Sequence, residues 1–173
     1  MRPRVGISRC LLGAPVRYDG AHRLEPGLLD ALGPYVEWVD VCPEMEAGMG
    51  VPREPVRLLA AGVPGQPRMV GVHSGRDWSV PMTRWSAARI EELRGLGLSG
   101  YILKARSPSC GPRDVPIHEP VDGAPGTAAS GPGLFAAALV AAFPGLPIAD
   151  EEDLRRPNAL DSFLERVRAF GVA

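Results

Sequence analysis

Short apolar runs alternate along this chain with stretches whose apolar residues recur at three- and four-residue steps. Arg4–Ser8 (RVGIS) is a brief apolar run that ends in a loop, and Glu25–Leu32 has helical spacing with Pro26 in its first turn, where proline is tolerated. Val36–Val41 (VEWVDV) reads as a second strand and Met69–Val72 as a third. Thr83–Leu96 (TRWSAARIEELRGL) reads as a helix, with Thr83 as its cap and Gly97 as its stop. Gly100–Leu103 follows as a strand, Ser130–Phe143 as a small-residue helix, Leu146–Ala149 as a last short strand and Pro157–Phe170 as a closing amphipathic helix. Strands alternating with helices predict an α/β fold: a three-layer sandwich around a mostly parallel central sheet. The proline- and glycine-rich segments Pro43–Arg68 and Pro112–Pro132 read as long functional loops, because neither separates two self-sufficient cores. No internal repeat is visible.

Length agrees with one domain, spanning residues 1–173, since 173 residues at 45% hydrophobic can build one full core. The longest apolar run, Gly133–Phe143, is too short to span a bilayer, and Met1–Arg4 leads straight into a strand without a signal-peptide core. A cytoplasmic protein that makes no membrane contact is expected. The formal net charge of −1 gives no bulk attraction to a polyanion.

The three cysteines change the picture. Cys10 follows the first strand, Cys42 ends the second, and Cys110 lies in the loop after the strand that ends near Lys104. All three therefore lie beyond carboxyl ends of strands, the edge at which open α/β sheets bind ligands. Around Cys110, in GYILKARSPSCG, Pro108 and Pro112 each fix a backbone angle, a stiffness that a merely buried thiol does not need. Structural zinc wants a fourth ligand and a short cysteine spacing, and His22, His73 and His118 occupy no metal-motif spacing, so zinc is the weaker reading. A cubane iron–sulfur cluster held by three cysteines leaves one iron open to water or substrate, and a site this soft favours a sulfur-containing ligand.

The segments SRCLLGAPVRYDG (8–20), VCPEMEAGMGVPREPVRL (41–58), GYILKARSPSCGP (100–112) and GPGLFAAAL (131–139) resemble, in this order and spacing, the successive motifs of the thiouracil desulfidase (TudS-like) family. The resemblance covers nearly the whole chain. It implies a [4Fe-4S] cluster bound by Cys10, Cys42 and Cys110, with one iron not bound by protein cysteine, and non-redox removal of sulfur from a thiolated uracil. The stretch GMGVPREPVRL is most similar to longer relatives that add a helical domain and act on 4-thiouridine in tRNA. This chain stops at Ala173, so the expected partner is a small thiolated pyrimidine base or nucleoside, with thiolated tRNA as the alternative.

The residues themselves support such chemistry. A thiocarbonyl sulfur on an open iron makes its ring carbon more electrophilic, and the attacking water then needs a base. Glu44 lies two residues after Cys42, so in an extended loop it points to the same side; Glu46 is the second choice. Ser107 and Ser109 flank Pro108, with hydroxyls that can hydrogen-bond the ring or the cluster, and Ser107 is favoured for catalysis. Arg17, Tyr18, Asp19, Arg53 and Arg57 are expected at the entrance, where arginine forks suit phosphate, although salt bridges to Glu46 or Glu54 are an equal reading of Arg53 and Arg57. Lys104 either offsets the cluster's charge or simply ends its strand. The competing function is an iron–sulfur redox or sulfur-carrier module, which needs the cluster but not Glu44.

Overall fold

The computed structural model describes residues 1–61, 63, 65–119 and 127–171. In chain order the elements are β1 (Arg4–Ser8), a 3-10 turn (Arg9–Leu12), α1 (Pro26–Leu32), β2 (Glu37–Val41), α2 (Pro43–Glu46), β3 (Val56–Leu59), β4 (Arg68–Gly71) and α3 (Ser79–Leu96). There follow β5 (Leu98–Leu103), β6 (Val115–His118), β7 (Thr127–Gly131), α4 (Leu134–Ala142), β8 (Ile148–Asp150), α5 (Glu151–Leu154) and α6 (Ala159–Phe170).

The main sheet has the order β2-β1-β5-β8, and every pairing in it is parallel. All six residues of β5 are buried, as expected of an inner strand covered on both faces, whereas β2 at the edge leaves Glu37 and Asp40 in water. Alternation along the strands sends side chains to two cores. Val5, Ile7 and Ile102 join Leu28 and Leu32 of α1 and Phe163 and Val167 of α6. Val41, Tyr101 and Leu103 face the other way, into a core shared with Met82, Ile90 and Leu93 of α3 and Phe135 and Leu139 of α4. The expected three layers, with helices on both faces of a parallel sheet, are present. No helix among the described residues is long and apolar enough to cross a membrane.

A second sheet, in the order β4-β3-β6-β7, is absent from the sequence reading. Its inner strands β3 and β6 run parallel, and β4 and β7 flank them antiparallel. It donates Leu58, Met69 and Val115 to the same core as α3 and α4. Both presumed long loops therefore carry structure: Pro43–Arg68 holds α2 and β3, and Pro112–Pro132 holds β6 and β7. Gly62 and Pro64 in the first segment and residues 120–126 in the second lie outside the described residues. The expected strand near Met69–Val72 exists as β4, but it belongs to this second sheet. The helix expected from Thr83 starts at Ser79, because Asp77 Oδ1 accepts from Ser79 N (2.8 Å) and Pro81 is tolerated in a first turn. The helix expected from Ser130 starts at Leu134, because Ser130 and Gly131 pair with Pro116 and Val115 across the sheet edge.

Gly6 marks the tightest approach within the main sheet. A Cβ there would lie 2.2 Å from the ring of Tyr101, its neighbour across the β1–β5 pairing. The ring is itself buried and packs edge-on to Phe135 at 6.0 Å between centroids, so it has nowhere to go. Gly6→Ala should destabilise the fold by about 1–3 kcal/mol, the usual effect of overpacking a core. A thermal melt checks this, with the midpoint expected to fall by roughly 2–4 °C for each kcal/mol lost.

Candidate functional site

Cys10, Cys42 and Cys110 all line one cavity of about 440 Å³ at the carboxyl edge of the main sheet, and none is in a disulfide. Their three loops follow β1, β2 and β5, which are neighbours in the sheet, so parallel pairing alone brings residues 10, 42 and 110 to one edge. Burial pushes all three thiols up: Cys10 to about 11, with the nearby Cys42 adding to the shift, and Cys110 well above its ordinary value despite a hydrogen bond from Ser8. Metal binding must displace their protons, and Arg17, Lys104, Arg53 and Arg9 provide the positive surroundings that favour thiolate.

The Cys110 loop is built by local hydrogen bonding. Ser107 Oγ accepts from Ser109 N (3.2 Å) and Cys110 N (3.1 Å), and Gly111 N donates to Ser107 O (2.8 Å), giving a tight turn around the two prolines. A Cβ at Gly111 would meet Val115 at 2.5 Å. The start of α4 then binds the loop from behind, with Gly133 N donating to Gly111 O, Leu134 N to Pro108 O and Ala136 N to Ser109 O at 2.8–3.1 Å. These are helix N-terminal N–H groups that lack partners within the helix.

Glu44 also lines the cavity, though not through an extended loop. Cys42 is the N-cap of the short α2, and Glu44 sits in its first turn. Its Oε1 accepts from Ser109 Oγ (2.9 Å) and its Oε2 from Arg53 Nε (2.8 Å) and Nη2 (2.6 Å). Glu46 is turned elsewhere: its Oε1 accepts from Cys42 N (3.0 Å) and Arg9 Nη2 (2.9 Å), and Arg89 lies 3.5 Å from its Oε2.

Of the residues expected at the entrance, Arg17, Tyr18 and Arg53 line the cavity. Asp19 does not; it accepts from Ala21 N (3.0 Å) and pairs with Arg17 at 3.5 Å. Arg57 also stands apart from the cavity, on β3. Lys104 lines the cavity with its ammonium on Glu151 and on Ala105 O (2.9 Å), and Glu151 Oε2 takes Ala105 N (2.7 Å). Sequence reasoning overlooks Ser8, Arg23, Arg106 and Glu151. Ser8 ends β1 beside Cys10 and accepts from Lys104 N at 2.9 Å, so its place two residues before a cysteine was a usable signal. Nothing local marks Glu151, which reaches the site from β8's far end.

Residues 5–151 match the 2-thiouracil desulfurase family. The chain belongs to that family. It is 30% identical over 110 residues to the uncharacterized protein YbbK of Bacillus subtilis (strain 168), covering 61% of this chain and 71% of that one. Among solved structures it is similar to the [4Fe-4S]-dependent thiouracil desulfidase TudS, with 28% identity, a TM-score of 0.70 and coverage of 99% of this chain and 100% of that chain.

The donor set suits the cluster that this likeness implies. Three thiols reach the cavity from three loops, and no histidine among the described residues lines it, so a zinc ion would lack its usual fourth nitrogen or sulfur. Cys10, Cys42 and Cys110 would hold a cubane and leave one iron for another ligand. Replacing any one of them by serine is expected to abolish most iron and sulfide binding after anaerobic reconstitution; a variant that keeps the full complement identifies a cysteine that is not a ligand. Gly133→Ala tests the loop's support, since the added Cβ would lie 2.6 Å from the Ser109 backbone. It should lower cluster content while leaving the far-ultraviolet dichroism of the fold in place.

Proposed function

We propose that this protein hydrolyses the C=S bond of a thiolated pyrimidine, a thiouracil or 4-thiouridine, giving the oxo base or nucleoside and hydrogen sulfide. The observation that carries this reading is the Glu44 carboxylate, presented to the thiol-lined cavity and fixed at both oxygens by Ser109 and Arg53. A cubane on Cys10, Cys42 and Cys110 supplies a Lewis-acidic iron for the substrate sulfur. Every other step falls to the chain's own groups.

Glu44 takes a proton from a water as that water's oxygen bonds to the ring carbon. Ser109, fully buried, orients Glu44 from behind; Ser107 lines the cavity, is held by two backbone N–H groups and keeps its own O–H for the ring or the sulfur. As the C–S bond breaks, both protons of the water end on sulfur and the ring recovers a carbonyl. No electrons enter or leave. Arg17 and Tyr18 form the wall that faces the ring, and Lys104 offsets the negative charge of three thiolates. A cavity of about 440 Å³ accommodates a base or nucleoside. Cytoplasmic residence follows from the need to keep three thiols reduced.

A redox or sulfur-carrier module would have no use for a carboxylate held in this way, which is why hydrolysis is preferred. The direct test is anaerobic reconstitution with iron and sulfide, then assay against 2-thiouracil, 4-thiouracil and 4-thiouridine for sulfide release without added reductant. Glu44→Gln preserves shape and both hydrogen-bond partners, so the cluster spectrum should survive while turnover falls by roughly a hundredfold or more. Sulfide release at the wild-type rate by Glu44→Gln would remove Glu44 from the mechanism.

A further inference from the structure

Arg53 carries a role distinct from the entrance contact expected of it. Its side chain is only 7% exposed, and all three guanidinium nitrogens are engaged inside the protein. Nε donates to Glu44 Oε2 (2.8 Å), with which Nη2 forms an ion pair at 2.6 Å, and Nη2 donates to Val16 O (3.0 Å). Nη1 donates to Gly50 O (2.7 Å) and approaches Met45 Sδ (3.7 Å). Each guanidinium nitrogen is thus committed within the protein.

The same residue is tied by its main chain to the opposite wall, with Arg53 N donating to Tyr18 O at 3.0 Å. Arg53 thus joins three pieces: the first turn of α2 that bears Glu44, the Val16–Tyr18 wall, and its own loop. A guanidinium holds such a geometry because its donors are coplanar and rigidly spaced, whereas an ammonium would meet the same acceptors as a single rotating point charge. Arg53 holds Oε2, and Ser109 holds Oε1, so the carboxylate is fixed from both ends.

We propose that Arg53 is a positioning residue that acts through Glu44, holding its carboxylate at the cavity and fixing the Val16–Tyr18 wall relative to it, without touching substrate. This rests on Glu44 being the base.

The test is a double-mutant cycle on the reconstituted holoenzyme, with Arg53→Ala and Arg53→Lys each made alone and together with Glu44→Gln. The measurements are iron and sulfide content, kcat and KM for 4-thiouracil, and restoration by millimolar guanidinium. Arg53→Ala should keep its cluster and lose roughly tenfold or more in kcat with KM little changed, and should cost less than about twofold once Glu44 is already Gln. Guanidinium should recover part of the kcat of Arg53→Ala but none in the Glu44→Gln background, and Arg53→Lys should fall between. A raised KM with kcat intact would make Arg53 a substrate contact and overturn the proposal. Effects that multiply in the double variant would show action independent of Glu44, again overturning it. Loss of the cluster in both Arg53 variants, unrelieved by guanidinium, would reduce Arg53 to a structural role. Full turnover by Glu44→Gln alone is a separate failure, that of the base assignment, and it removes this proposal with it.

Discussion

The arrangement of the site depends on a backbone-to-backbone contact between the first turn of α4 and the Pro108–Gly111 loop. Helix N-termini expose N–H groups that need acceptors, and here the acceptors are carbonyls of the loop that bears Cys110. Such a close approach is open only to glycine at position 133. Because Phe135, Ala136 and Leu139 of the same helix are fully buried, the loop is pinned to the core rather than to the surface. From there the order passes outward along single bonds: Ser109 to Glu44, Glu44 to Arg53, and Arg53 to Val16 and Tyr18. Each member is held by the one before it, so an error in the α4 contact would reach Glu44 and the Val16–Tyr18 wall together.

The charges follow a consistent plan. Among the described residues, Arg9, Arg17, Arg23, Arg53, Lys104 and Arg106 line the cavity against a single lining carboxylate, Glu44, although the chain as a whole has net charge −1. The balancing acids stand behind the wall: Asp40 and Glu46 on Arg9, Glu151 on Lys104 and Glu152 on Arg106. Burying an ion pair such as Lys104–Glu151 does little for stability, because desolvation offsets the attraction. Its value is better sought in the site, where Lys104 faces the thiol-lined cavity while its charge is balanced from behind by Glu151. Glu151 also binds Ala105 N, so the same pair fixes where β5 ends and the Cys110 loop begins.

The parts of this architecture that were legible in the sequence are those written in local pattern. Strand and helix periods gave away the main sheet and its helices, and cysteines placed just past three strands pointed to a single edge. The second sheet was hidden because its strands are short, with a proline inside Val115–His118 and small residues filling Thr127–Gly131, and because β3 finds β6 only across a long sequence separation, Leu58 opposite Ile117. Arg53 illustrates a different limit. An arginine in a loop of arginines and glutamates offers many partners, and composition cannot say whether its guanidinium turns outward to phosphate or inward to Glu44. Only the acceptors that close around it, three of them on other loops or on α2, decide the matter.

Glu44 and Glu46 show how a cavity-lining residue can be reached from the sequence by an incorrect path. In an extended chain, residues two apart share a side, and both carboxylates would then have faced the cavity with Cys42. The chain instead turns into α2 at Pro43, a residue suited to a first helical position, and a helix advances about 100° per residue. Two residues therefore separate the side chains by about 200°, sending them to nearly opposite faces. Glu44 lines the cavity and meets Ser109 and Arg53, while Glu46 folds back on the Cys42 N–H and is flanked by Arg9 and Arg89. The second glutamate thus fixes the main chain of a thiol-bearing residue, and the first turns its carboxylate to the cavity. A single turn of helix assigns different work to two identical side chains.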